Sequence, residues 1–260
     1  IGVIDESFDE IQYQSSKSFT KIRSLVKQPL LLGVLLTLFI SLLYSRNRFG
    51  SLSGGALAVA PASAFEMISS FVSSWHLVGL GSSAAAPAWI PIIGIGSFIT
   101  AANPQTFITA LFFLTPALLF ISSYRAARKY SLTKYSSAFV AFMYSFSLAV
   151  LTAINQGRLG TVVVAILLPG LFTLLEKNRG LSNLTWRKIF SIVLIAAVAA
   201  AFSPLFLLSW ITFHSAVFLY NYFTSPNWRG IKWQEILKNL DTDEYKKRLA
   251  LIFTPIFINV

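Results

Sequence analysis

Apolar residues in this chain come in long runs separated by short basic or mixed segments, a spacing too long for strands and too continuous for the stripes of soluble amphipathic helices. Lys17, Lys21, Arg23 and Lys27 precede an uncharged run from Gln28 to Ser45, about the ~20 residues that a spanning helix needs. That run is the first predicted span. Gly50 to Tyr124 contains a single charged residue, Glu66, and its Gly and Pro positions predict loop and a short surface helix in the earlier part. Further on, Asn103-Pro104 marks a boundary, with one span at Gln105–Ser123 and Ala86–Ala102 as a re-entrant or juxtamembrane helix.

A basic loop carrying Arg125, Arg128, Lys129 and Lys134 follows. Tyr135–Ile154 and Leu159–Leu175 form the next pair of spans, Glu176–Lys188 is a second basic loop, and Ile189–Trp228 is a helical hairpin turning near Ser203-Pro204. Residues 225–248 mix charge with Trp228 and Trp233, as an interfacial segment does, and Leu249 begins another span. The expected fold is all-α, a multi-pass transmembrane helical bundle of about six complete spans, seven if Ala86–Ala102 crosses.

Orientation follows from charge. Lys and Arg collect on the cytoplasmic side of short loops, so 1–27 is expected to be a cytoplasmic linker and 46–104 a long outer loop, within a transmembrane domain running over 28–260 at the cell membrane. The chain starts at Ile1 and stops at Val260 inside an apolar run, as an excerpt of a longer protein does.

Composition agrees: of 260 residues 55% are hydrophobic and 12% charged, against about a quarter charged in soluble domains. The net charge of +11 resides at helix flanks and accompanies no nucleic-acid-binding module, so no nucleic-acid partner is expected. There is no cysteine, and His76 and His214 lack the close spacing of a zinc site. No phosphate-binding Gly-rich loop, nucleophile elbow or metalloprotease helix occurs, so neither a metal nor another cofactor is expected.

Candidate chemistry is confined to polar groups at the outer face, where an ionisable group at the membrane edge suggests function. One set is Trp75 and His76, in a Gly-rich string; the other is Asn155, Gln156 and Arg158, between two apolar helices. Each has an ordinary counterpart, since indoles anchor at headgroups and long cations snorkel. Glu66 is the sole acid of the outer region and a candidate catalytic carboxylate. His76 and Arg158 are expected to lie together at the mouth of an outer cavity, held by a Gly-rich loop folded over the Tyr135–Leu175 pair.

The strings RFGSLSGGAL, WHLVGLGSSAAAPAW, SYRAARKY and NQGRLGTVVVAILLP, in this order, resemble the membrane region of large actinobacterial family 2 glycosyltransferases. The likeness runs from about Lys27 to Val260, with Leu77 where members often have proline. It implies a cytoplasmic GT-A catalytic domain attached upstream of this chain. The layout of one span, a long outer loop and short-looped spans is also similar to the GT-C superfamily of polyprenyl-phosphate-sugar transferases, which implies an acid in the first outer loop acting as base or metal ligand; Glu66 alone is available. What the likeness implies is the membrane part of a cell-envelope glycosyltransferase, with membrane lipid and a polyprenyl-linked glycan as partners. A transporter or flippase for such a lipid is the alternative.

Overall fold

The computed structural model describes residues 28–45, 55–57, 60–73, 86–176 and 185–224, together with 247, 250, 251 and 254. The linker 1–27, Trp75, His76 and most of 225–248 lie outside the described residues. Within them every regular element is helical: α1 Pro29–Ser45, α2 Ala64–Val72, α3 Trp89–Gly96 continued by a 3-10 turn Ser97–Thr100, α4 Pro104–Lys129, α5 Lys134–Ser145, α6 Leu148–Asn155, α7 Leu159–Glu176, α8 Trp186–Phe202 and α9 Pro204–Thr224. Two helical stretches, Pro104–Lys129 and Lys134–Asn155, are long and apolar enough to cross a membrane by length and composition.

α4 is the hub, packed against α1, α5, α7 and α3. Its start is set locally: Asn103 accepts a hydrogen bond from the Thr106 N–H at 3.0 Å, and Pro104 occupies the first turn, where no donor is needed. Its 26 residues extend about 39 Å at 1.5 Å per residue. The predicted loop residues Arg125, Arg128 and Lys129 therefore ride on the last turns of the helix, and the connection to α5 is confined to 130–133. Charge marked the end of the apolar stretch, while the backbone hydrogen-bond ladder continues until Tyr130.

α1 reverses the soluble pattern. The residues it buries are Pro29, Gly33, Thr37 and Ser41, one every fourth position, whereas Leu35, Phe39 and Leu43 on the other side are exposed. Small residues on the inner stripe let the backbone approach α4 closely. A Cβ built on Gly33 would fall 1.9 Å from the Phe120 ring. A water-soluble helix presents the opposite arrangement, apolar inside and polar outside.

The prolines inside α4 and α7 show how freed backbone groups are satisfied. Pro169 cannot donate to the Ala165 carbonyl, and the Tyr144 hydroxyl of α5 does so instead at 2.9 Å. Ser122 of α4 donates to the next carbonyl, Ile166, at 2.7 Å. Near Pro116 of α4, Ser41 of α1 donates to the Phe113 carbonyl at 2.6 Å. Neighbouring hydroxyls thus reach carbonyls near both internal prolines, an arrangement that re-satisfies backbone groups where water is scarce.

The expected span Tyr135–Ile154 is two helices. The break at Phe146-Ser147 leaves Ser147 extended, with its N–H bonded to the Tyr144 carbonyl at 3.2 Å and no side-chain cap on α6. The turn foreseen near Ser203-Pro204 is present between α8 and α9, with Ser203 extended. Trp89–Thr100, at 12 residues of α-helix and 3-10 turn, is shorter than a crossing needs. It ends in consecutive left-handed alanines, Ala101 at φ 54° and Ala102 at φ 58°, a conformation alanine adopts rarely. The Ala64 N–H, bonded to the Ala102 carbonyl at 2.8 Å, ties that reversal to α2.

Three apolar clusters result. One joins α2, α3 and the adjoining ends of α4, α6 and α7 through Met67, Ile93, Ile108, Ala153 and Val162. A second joins α4 and α5 at Phe120, Tyr124 and Ala141, with Leu30 and Val34 of α1 against it. The third holds α7, α8 and α9 around Ile192, Trp210 and Leu251. The alternating helices put Arg125, Arg128, Lys129, Lys134, Arg187 and Lys188 at one end, called here the basic end. Tyr44, Gly55, α2, α3 and the α6–α7 turn are at the other.

Candidate functional site

The α6–α7 turn is made by the backbone. Gly157, at φ 66°, allows the Arg158 N–H to reach the Ala153 carbonyl at 2.9 Å and its own N–H to reach the Ile154 carbonyl at 3.2 Å. This paired closure is the Schellman ending, which selects glycine at the left-handed position. Apolar Ala153, Ile154 and Leu159 flank the turn and enter the cluster below it. Asn155, Gln156 and Arg158 are left at the surface.

Two other segments brace the same turn. Tyr44, in the last turn of α1, donates its hydroxyl to Asn155 Oδ1 at 2.5 Å. The Ala56 N–H donates to the Gln156 carbonyl at 2.9 Å. Gly55 makes that approach possible twice over: its φ is +61°, and a Cβ there would stand 2.5 Å from the Gln156 oxygen. Gly55-Ala56, from the RFGSLSGGAL string, therefore lie on the α6–α7 turn, whereas the Gly-rich string around His76 lies outside the described residues.

With its backbone fixed, Arg158 extends an exposed guanidinium that makes no side-chain hydrogen bond or ion pair among the described residues. Such a group offers a planar fork of donors suited to a phosphate or carboxylate. Gln156 adds an exposed amide beside it. Tyr44 and Gly55-Ala56 join the site without being candidate site residues in the sequence, although Gly55-Ala56 belong to the RFGSLSGGAL string. Tyr44 closes an apolar run as an interfacial aromatic would, and only the fold shows that it reaches a residue 111 positions away.

Glu66 has a local structural task. Ser63 caps α2 by accepting from the Glu66 N–H at 3.1 Å, and the Glu66 carboxylate accepts from the Ala62 N–H at 3.1 Å. The Ser-x-x-Glu spacing of 63–66 is that of a helix-start capping box, with the carboxylate here reaching the residue before the cap. No group of three or more His, Cys, Asp or Glu gathers among the described residues, so the metal-ligand role that the GT-C likeness implies finds no donor set there.

No protein-family model, curated protein or solved structure matches this chain. The chemistry of the residues therefore carries the functional reading.

Proposed function

We propose that this chain is the membrane-embedded part of a glycosyltransferase of cell-envelope glycan synthesis, a multi-pass GT-C-like bundle whose Arg158 end faces outward and holds a polyprenyl-phosphate-linked glycan or acceptor. The membrane part of the reading is supported by the leucine-covered, small-cored α1 and by the hydroxyls on the carbonyls around both internal prolines. Orientation is supported by the basic end, which the positive-inside rule assigns to the cytoplasm together with the N-terminus. Reporter fusions at Lys129 and Asn183 are expected to score cytoplasmic and one at Ser63 external; a cytoplasmic Ser63 reverses the orientation.

The observation that carries the ligand class is Arg158, an exposed guanidinium with no partner among the described residues on a turn braced from two sides. A charge-assisted fork to phosphate is stronger than a neutral hydrogen bond and demands planarity, which lysine lacks. Replacing Arg158 by Lys is expected to lower lipid-linked glycan assembly in cells by about tenfold at matched membrane levels, the scale of one lost charged hydrogen bond. Wild-type output from both R158K and R158A would reduce the residue to a headgroup anchor.

One observation favours the second reading, a transporter or flippase of the same lipid: the α5–α6 interruption falls inside a stretch long enough to span, and broken helices line the sites of many transporters. Vesicles holding a fluorescent polyprenyl-phosphate sugar separate the two. Rapid exposure of inner-leaflet probe to an external quencher would indicate transport; none is expected for a transferase segment.

A further inference from the structure

The α2–α3 hairpin presents three kinds of surface, as a helix pair does where protein, water and lipid meet. On α2, Ala64, Met67 and Ile68 face inward, with Met67 in the cluster beneath and Ile68 against Gly94 of α3. Glu66, Ser69 and Ser73, at helical spacing, form an exposed polar face. Between them a flank carries Phe65 and Val72, seven residues apart and so on the same side; Val72 is 78% exposed. This flank continues onto the second element, where Phe65 meets Phe98 edge to face at 5.5 Å and the neighbouring Ile99 is 85% exposed.

A contiguous aromatic and branched aliphatic patch facing water is costly, and such patches mark contacts with partners or lipid. Charge selects between these. From Phe49 to Tyr124 the only charged residue is Glu66, which lies on the polar face away from the flank. A water-facing segment of that length carries many charges. An apolar flank beside a seryl and carboxylate face suits the boundary between acyl chains and headgroups.

We infer that the α2–α3 hairpin is sunk edge-on into the outer leaflet, with Phe65, Val72, Phe98 and Ile99 in the acyl region and Glu66, Ser69 and Ser73 at the water side. The inference rests on the membrane reading above and deepens it. Met67 and Ile93 share their cluster with Ala153, and Ile154 packs against it, so the hairpin fixes the depth of the α6–α7 turn. Arg158 is thereby held at the height of lipid phosphates, and the ligand class it takes is a phosphate already resident in the bilayer.

The chain contains no cysteine, so single-cysteine spin labels report unambiguously. The full chain is reconstituted in vesicles of phosphatidylcholine and phosphatidylglycerol, with labels at Phe65→Cys, Val72→Cys and Ile99→Cys, at Glu66→Cys and Ser73→Cys, and at Leu35→Cys and Phe39→Cys on α1. Collision with oxygen is expected to exceed collision with a polar nickel chelate at 65, 72, 99 and both α1 positions, and the order to reverse at 66 and 73. Nickel dominance at 72 and 99 with oxygen dominance on α1 overturns the inference and leaves the membrane reading intact. Nickel dominance on α1 as well overturns both. Labels at 72 and 99 shielded from both relaxers, with spin coupling between copies, would make the flank a protein interface and overturn the inference.

Discussion

At the basic end, cations serve local closure: Arg128 donates to the Leu132 carbonyl across the α4–α5 turn, and Lys129 reaches Thr173 of α7 at 3.3 Å. The opposite end uses almost no charge and is joined instead by backbone contacts, such as Ala56 on Gln156 and Ala64 on Ala102. The two halves of α7 record the same contrast in their glycines. At Gly160 a Cβ would lie 2.1 Å from the Phe202 carbonyl oxygen, whereas at Gly170 nothing lies within 4 Å. Close backbone packing braces the end that carries the candidate site, so the exposed Arg158 stands on a fixed base; the basic end is closed by long cationic side chains reaching oxygen acceptors.

Breaking that contrast most severely should be Gly160→Ala. Its methyl meets backbone, which cannot rotate aside, so α7 and α8 must separate at a cost of about 1–3 kcal/mol, read as a lower unfolding midpoint in detergent. Gly170→Ala on the same helix is the control and should be neutral or stabilising by up to about 1 kcal/mol. Equal losses from both would show that the two ends are packed alike.

Next in size is Gly55→Ala, expected to cost about 1–2 kcal/mol through its positive φ and its closeness to Gln156. This variant sharpens the comparison because Gly55 supports the turn from outside α6 and α7. If the bracing matters to ligand binding, lipid-linked glycan assembly falls along with stability, and faster proteolysis of the α6–α7 turn accompanies it. Unchanged stability would remove Gly55-Ala56 from the site.

Boundaries marked by proline were legible in the sequence. Asn103-Pro104 and Ser203-Pro204 both separate helices because proline lacks a donor and fixes its own backbone angle. The Phe146-Ser147 break was not legible: FMYSFSLAV holds neither Gly nor Pro, and the contact beside it that reaches another helix, Tyr144 to the Ala165 carbonyl of α7, is a tertiary one. The charges from Arg125 to Lys129 suggest a loop, although nothing in that stretch stops a helix and the helix runs through it. At the site, the Asn155–Arg158 turn was evident from polar residues between apolar runs. Its bracing by Tyr44 and Gly55 was not, since contacts over about a hundred residues leave no local periodicity.

A smaller effect tests the middle of the bundle, between the two ends. Tyr144→Phe removes the donor to the Ala165 carbonyl that Pro169 leaves without its helical partner, and should cost about 0.5–1.5 kcal/mol, the range of interhelical hydrogen bonds in membranes. Tyr144→Phe combined with Pro169→Ala should recover most of that loss, because the backbone N–H restored by the second substitution then reaches the carbonyl itself. No recovery would show that the hydroxyl and the proline are energetically separate.

The smallest expected change in stability is also the most informative about Glu66, the only acid between Phe49 and Tyr124. Glutamine at the third helical position caps as glutamate does, because its amide oxygen accepts the same hydrogen bond, here from the Ala62 N–H. Glu66→Gln should therefore leave the unfolding midpoint within about 0.5 kcal/mol of wild type, while Glu66→Ala loses the cap contact and falls by about 0.5–1 kcal/mol. A general base must take a proton, which an amide cannot do. If Glu66 only starts α2, Glu66→Gln keeps wild-type glycan assembly and Glu66→Ala loses a little through stability. If it is the catalytic carboxylate of the outer loop, both variants abolish assembly at matched membrane levels. The geometry supports the first outcome, because the carboxylate is held back along its own helix start by the Ala62 amide.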